Sequence, residues 1–97
     1  MEYFQVMFDG CSSLSDIKPL ENWNISNGKY FQVMFYGCSS LSDIKPLQNW
    51  NVSNGNNFSY MFGQCSSLFS SLSDIKPLRN WNVSNKKYFS QLLEDDL

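Results

Sequence analysis

The residues that could do chemistry in this chain recur at a fixed spacing. Cysteines stand at Cys11, Cys38 and Cys65, each 27 residues after the one before. An Asp-x-Lys pair follows each of them, at Asp16 and Lys18, Asp43 and Lys45, and Asp74 and Lys76. The sequence contains no histidine, which is the usual base for a cysteine nucleophile and the commonest metal ligand. We therefore interpret the Asp-x-Lys pairs as a solvated charge ladder, and expect no catalysis, no cofactor and no metal site.

The three cysteines are expected to be buried free thiols. Three is an odd number, so internal pairing would leave one thiol over. They lie far apart in the sequence with no second ligand beside any of them, which disfavours zinc. Unpaired cysteine is often buried, and free thiols favour a reducing compartment.

A ten-residue segment recurs along the chain and defines its repeats. The ten residues CSSLSDIKPL occupy 11–20, recur at 38–47, and return from 65 to 78 with four extra residues near 69–72. A period of this length is typical of stacked repeats. We divide the single domain, 1–97, into units 3–29, 30–56 and 57–87 and a partial capping unit, 88–97. The insertion is expected to bulge out of the stack.

The first part of each unit predicts a short helix. Phe31, Met34, Phe35 and Cys38 fall at i, i+3, i+4 and i+7, which is the spacing of one buried helical stripe. Gly37 stands where a helix end favours left-handed backbone. The helices are predicted at 29–36 and at the equivalent segments 2–9, 56–62 and 86–94.

The end of each unit predicts a strand. Trp23 and Ile25 alternate with Asn22, Asn24 and Ser26, a period of two. Strands are predicted at 22–26, 49–53 and 80–84, with the tryptophans stacked into one continuous spine. The segment 14–17 is an alternative position for the ladder. The resulting fold class is an α/β repeat solenoid, leucine-rich-repeat-like, with short parallel strands on one face and short helices on the other.

The repeated motif resembles a known family. It reads N-W-x-[I/V]-S-N from Asn22, Asn49 and Asn80, and M-F-x-G-C from Met34, with shorter matches at Met61 and Leu92. This order resembles that of the BspA-like leucine-rich-repeat surface proteins. The resemblance implies a non-catalytic protein-interaction or adhesion module at the cell surface. The start of the chain, MEYFQVMFDG, lacks the features of a signal peptide, and free cysteines suit the cytoplasm equally well, so localisation is left open.

The partner surface is expected on the open face of the predicted strands. Two asparagine rows would lie there, next to a column whose charge changes from acid to neutral to base. The residues of this candidate surface are Glu21, Asn22, Asn24, Gln48, Asn49, Asn51, Arg79, Asn80 and Asn82. The amide rows could bond up the stack as structural ladders, or bind a protein or a glycan. We expect the varying column to set partner selectivity.

Charge and hydropathy disfavour two further classes of partner, nucleic acids and membranes. The net charge is −2, from 7 basic and 9 acidic residues, with no basic stripe, so nucleic acid is disfavoured. No apolar run approaches the length that spans a membrane, so no membrane insertion is expected. The N-terminal end presents Tyr3, Phe4, Met7 and Phe8 without a polar cap, which favours either a longer array of which this chain is a fragment or the association of two copies through this end. The alternative function is therefore a structural or self-associating array without a dedicated ligand.

Overall fold

The structure, a computed structural model, describes residues 2–70, 72–83 and 91–94. The side chains of residues 69, 70 and 72–74 lie outside that description. The molecule measures 28 × 28 × 23 Å along its principal axes. Across the described ranges, no helix has the length and apolar character needed to cross a bilayer.

The helices of the described residues are all of the 3₁₀ type. Their bounds are Lys18–Leu20, Lys45–Leu47, Ser66–Ser70 and Leu72–Asn80. Each of the first two has a proline within its first two positions, where the missing N–H costs no hydrogen bond. Just before them, the carboxylates of Asp16 and Asp43 accept hydrogen bonds from the backbone N–H two residues on, at 3.0 and 2.9 Å. The motif Asp-x-Lys-Pro thus encodes an aspartate-closed turn that leads into a short 3₁₀ helix.

The third repeat replaces this short turn with longer 3₁₀ structure. Ser66–Ser70 and Leu72–Asn80 occupy the stretch that holds the four extra residues, and Pro77 lies inside the second helix. Residue 71 falls within the insertion and outside the described residues. The predicted bulge of the insertion therefore stays a prediction.

Successive repeats are joined through their first parts, which we call the turn segments: 3–10, 30–37 and 57–64. Alternate backbone N–H groups of one segment donate to carbonyls of the next. Phe4 donates to the carbonyl of Tyr30 at 2.9 Å, and Phe8 donates to that of Met34 at 2.8 Å. The pattern repeats one layer up, where Phe35 donates to Met61 at 2.9 Å. Two isolated parallel bridges, Tyr3 with Tyr30 and Tyr30 with Asn57, mark the start of each layer.

The helices predicted at 2–9, 29–36 and 56–62 are wrong, because these are the turn segments. Consecutive turns return the chain to the same face every three or four residues, as shown by the bonds from Met34 N–H to Phe31 O and from Cys38 N–H to Phe35 O. All four residues of the stripe are buried, as a helix would bury them. Val33 has φ 61°, which no α-helix contains. Of the predicted helix 86–94, residues 86–90 lie outside the described part, and 91–94 form a turn.

The predicted strands are also wrong. Residues 22–26 and 49–53 are irregular or turn structure, Asn80 ends the 3₁₀ helix Leu72–Asn80, and residues 81–83 are irregular. Residue 84 lies outside the described residues. Neither these stretches nor 14–17 hold the ladder, since the bonds between repeats lie in the turn segments. In the ranges the structure describes there is no sheet and no α-helix, so the α/β solenoid of leucine-rich-repeat type is contradicted. The period-two pattern matches alternate burial in the second repeat, where irregular backbone buries Trp50 and Val52 and leaves Asn49 and Asn51 exposed.

Phenylalanines form the stacked columns of the core. Phe4, Phe31 and Phe58 stack with ring centroids 5.4 and 5.2 Å apart and nearly parallel planes. A second column joins Phe8, Phe35 and Phe62 at 5.4 Å per step. The expected spine of tryptophans is replaced by these two columns. The inner indoles instead donate hydrogen bonds to the repeat beneath: Trp50 to the carbonyl of Leu20 and Trp81 to that of Leu47, at 3.0 and 2.8 Å.

Candidate groove surface

Two grooves lie along the lysine–proline segments, which we define as residues 15–21, 42–48 and 76–80. The 3₁₀ helices of these segments contact one another from repeat to repeat. Between the first and second segments lies a groove of about 340 Å³, the lower groove. Between the second and third lies one of about 470 Å³, the upper groove. Asp43, Lys45 and Gln48 line both, so the two grooves adjoin.

The lower groove has a small excess of acidic over basic side chains. Among the described residues, Asp16, Glu21 and Asp43 contribute carboxylates, and Lys18 and Lys45 contribute ammonium groups. All of them are exposed, so their charges are hydrated and act on a ligand through solvent. This end of the surface is suited to a cationic group.

The upper groove has the opposite balance. Its described lining has Lys45, Lys76 and Arg79 against the single carboxylate of Asp43. Asp74, the third-repeat equivalent of Asp43, has a side chain that lies outside the description. An arginine guanidinium binds planar carboxylates in a two-pronged arrangement, and a lysine adds a mobile point charge. This end is suited to an anionic group.

The structure brings together some of the predicted surface residues. Glu21 and Gln48 line the lower groove, and Gln48, Arg79 and Asn80 line the upper one. The predicted residues that line neither groove are Asn22, Asn24, Asn49, Asn51 and Asn82, all of them exposed. The surface therefore centres on the varying column rather than on the asparagine rows.

The asparagine row that contains Asn24 and Asn51 has a local role. The side-chain oxygen of Asn24 accepts hydrogen bonds from the N–H and hydroxyl of Ser26, at 3.2 and 2.7 Å. Asn51 binds Ser53 in the same way, at 3.1 and 2.7 Å. These oxygens close turns within their own repeats, as asparagine commonly does. The oxygens of Asn24 and Asn51 thus form no ladder up the stack, whereas the amide of Asn54 donates to the carbonyl of Ser26 in the repeat before it, at 2.8 Å.

Sequence reasoning missed the groove-lining members of the Asp-x-Lys pairs. Asp43, Lys45 and Lys76 belong to pairs interpreted as a charge ladder without a ligand. The available signal was the proline that follows each pair, because proline favours a 3₁₀ turn at that point. Such a turn sets the lysine beside the neighbouring repeat and leaves space between the layers.

The thiols form no reactive or metal-binding cluster in the described part of the chain. Cys38 and Cys65 are buried as expected, whereas Cys11 is exposed. The buried thiols donate to the carbonyls of Phe8 and Phe35 at 3.2 and 3.0 Å. Burial, with a smaller contribution from the nearby Cys11, raises the pKa of the Cys38 thiol to about 11. A thiol held neutral in this way is a packing group and a poor nucleophile.

These features define a repeat protein whose layers are joined by hydrogen-bonded turn segments and whose lysine–proline segments form a grooved face. The model of the family described as Mycoplasma protein of unknown function, DUF285, matches residues 2–96, and the chain belongs to that family. No curated protein and no solved structure matches the chain.

Proposed function

We propose that this chain is a BspA-like, non-catalytic module that binds a segment of a partner protein along its lysine–proline segments. The family match over residues 2–96 and the motifs N-W-x-[I/V]-S-N and M-F-x-G-C support the BspA-like assignment. Modules of stacked repeats commonly bind extended partners along one face, because equivalent residues of successive layers form a continuous surface.

The observation that carries the proposal is the continuity of the two grooves. Gln48 and Lys45 line both of them, so one extended ligand can run from the first repeat to the third. Exposed polar side chains and 3₁₀ turns line this path, and the buried Leu20, Leu47 and Leu78 of the same segments join it to the core. A pre-formed surface loses little conformational entropy on binding.

The mixture of charges favours a polypeptide over other polymers. A nucleic acid or an anionic glycan would meet the carboxylates of Asp16, Glu21 and Asp43 in the lower groove. A polypeptide can present a base to that groove and an acid or amide to the upper one. We therefore propose a protein ligand in preference to a glycan.

Selection from a displayed random-peptide library on the immobilised protein tests this function. Peptides that are enriched should bind the free protein in calorimetry, with Kd values in the micromolar range typical of short segments. Lys45→Ala should weaken them several-fold, because Lys45 borders both grooves. The matched control is Lys29→Ala, since Lys29 pairs with Glu2 at 3.0 Å away from both grooves.

Two results would contradict the proposal. One is that no peptide is enriched over the blank support. The other is that the enriched peptides lose the same affinity in Lys29→Ala as in Lys45→Ala, which would place them elsewhere on the molecule.

The alternative function, a self-associating array, is favoured by a different observation. The large apolar side chains exposed among the described residues all belong to the first repeat: Tyr3, Val6, Met7 and Trp23. We call them the first-repeat face. Their second-repeat equivalents pack against the first repeat below them, and Met34 is fully buried. A layer from a second copy could cover the first-repeat face in the same way.

Salt distinguishes the two functions. Asp9, Tyr36 and Gly63 occupy equivalent positions, and the next layer places Glu94 over Gly63. Head-to-tail stacking would therefore set Glu94 of one copy beside Asp9 of the next, and salt would screen this repulsion. Self-association, measured by sedimentation, should strengthen with salt and be abolished by Met7→Lys. Peptide binding to the grooves should weaken with salt and tolerate Met7→Lys.

A further inference from the structure

We infer that the partner segment carries a basic cluster and an acidic cluster whose centres lie about three residues apart. The basic cluster binds the lower groove and the acidic cluster binds the upper one. This inference rests on the proposed function and specifies the chemistry of its ligand.

The charge of the lysine–proline segments changes along the stack at one position only. Each segment repeats the same Asp-x-Lys-Pro-Leu and then places Glu21, Gln48 or Arg79 at the next residue. Glu21 lines the lower groove, Arg79 lines the upper one, and Gln48 lines both. Because the common pair contributes one charge of each sign per layer, the varying column alone makes the first layer acidic and the third basic.

The spacing of the layers sets the spacing on the ligand. Stacked rings of neighbouring layers lie 5.2–5.5 Å apart, and hydrogen-bonded backbones pack at a similar distance. Glu21 and Arg79 are two layers apart, so at this layer spacing we expect them to lie about 10 Å from one another. An extended peptide advances about 3.3 Å per residue, so groups that face the two side chains are about three residues apart.

A ligand whose charges all have the same sign would be repelled at one end of the surface. An all-acidic segment would satisfy Lys76 and Arg79 and meet Glu21 and Asp16 in the lower groove. An all-basic segment would have the reverse conflict. A segment with both clusters is attracted at each end, so the gradient selects for charge order as well as for charge.

Two synthetic peptides of identical composition test the inference. The segregated peptide, GSRRSEESG, places its arginine and glutamate pairs three residues apart, and the alternating peptide, GSRESRESG, does not. The wild-type protein should bind the segregated peptide about five-fold more tightly in low salt, since exposed ion pairs each contribute modestly. The preference should decline at 0.5 M salt because exposed charges are screened.

Charge reversal in the protein gives a second, matched test. Glu21→Arg and Arg79→Glu should each weaken binding of the segregated peptide about five-fold. The double variant keeps the net charge and inverts the gradient, so the peptide can bind in the opposite direction and affinity should return to within about two-fold of wild type. Unfolding curves of all four proteins check that the exposed substitutions leave the fold intact.

Recovery in the double variant is the result that a merely structural role of either residue would not give. The inference is overturned if the double variant binds as weakly as the two single losses combined. Equal binding of the two peptides by the wild-type protein would overturn it, as would no binding of either. A library selection that yields groove-binding peptides without the charge pair would sink this inference and leave the proposed function standing.

Discussion

Each inner tryptophan is fixed by the repeat beneath it. The indole N–H of Trp50 donates to the buried carbonyl of Leu20, and Trp50 is 5% exposed. Trp23 occupies the same position in the first repeat and is 39% exposed, with its ring tilted against Phe8. The same residue type at the same position in the motif therefore has two environments, set by whether a layer lies below. This difference provides a natural control for what the indole contributes.

We expect Trp50→Phe to destabilise the protein by about 2 kcal/mol. The substitution leaves the carbonyl of Leu20 buried without its donor and opens a small cavity. Trp23→Phe should change the free energy of unfolding by less than about 0.5 kcal/mol, because most surface substitutions have small effects. Urea unfolding of both variants measures the difference. Equal losses would contradict the hydrogen bond between layers as the cause.

Because the Cys38 thiol stays neutral in the native state, the free energy of unfolding should vary with pH in the alkaline range. Its pKa is raised from 9.0 to about 11, chiefly by burial, so the unfolded thiol ionises first as pH rises. Between about pH 9 and 11 the native state holds the extra proton, and stability should fall with increasing pH in that window. Below pH 9 this contribution is fully present.

Unfolding free energies at pH 8.5 and 10.5 measure the effect. Cys38→Ala should lose stability at both values through the smaller side chain, but with a shallower pH slope than wild type. Cys11→Ala is the control, since Cys11 is exposed, and should leave most of the slope. An unchanged slope in Cys38→Ala would refute the linkage.

The turn segment is the element that gives this chain its architecture. Within 30–37, left-handed backbone occurs at Val33 and Gly37, with φ 61° and 77°. The bonds between layers use N–H groups that an α-helix would need internally. Left-handed backbone is disfavoured for a β-branched residue, so the bonds and burial of neighbouring layers must offset a local cost at Val33.

The first-repeat equivalent, Val6, offers a test that separates a turn from a helix. Val6 has φ 64° and is half exposed. We expect Val6→Asn to be more stable than Val6→Thr by about 1 kcal/mol, because asparagine tolerates left-handed backbone and threonine does not. The two residues have nearly the same helix propensity, so a helix would give equal stabilities. Thermal unfolding of the pair, measured side by side, decides between the two.

The sequence predicted which residues are buried more reliably than it predicted the backbone conformation that buries them. The stripe from Phe31 to Cys38 was expected to face the core, and all four of its residues do. Left-handed backbone was expected at Gly37 and is found there. The helix was wrong because i, i+3, i+4, i+7 spacing is common to helices and to consecutive turns. Only the hydrogen-bond partners distinguish them, and those lie a whole repeat away.

The candidate surface was predictable in part for a similar reason. The column Glu21, Gln48, Arg79 stood out as the variable position in a copied motif, and it lies at the grooves. Of the asparagine rows only Asn80 lines a described groove, and Asn24 and Asn51 close turns with nearby serines instead of lining a strand. The grooves themselves arise from the spacing of layers, and no single repeat contains that information.

At the scale of the whole molecule, the two ends of the stack differ in what they present. The first repeat exposes apolar side chains such as Tyr3, which is 58% exposed, together with the acids Asp16 and Glu21. The third presents Lys76 and Arg79. A chain with a net charge of only −2 therefore has a polarity along its axis. We expect this polarity, rather than net charge, to determine how partners orient on the molecule.

The central claim is that the lysine–proline segments are the binding surface. An ¹⁵N-labelled protein titrated with the tightest peptide from the library selection tests it most directly, because backbone amide shifts report contact residue by residue. We expect the largest shifts within 15–21, 42–48 and 76–80, and no change in the turn segments. Shifts confined to the first-repeat face around Met7 and Trp23 would contradict it.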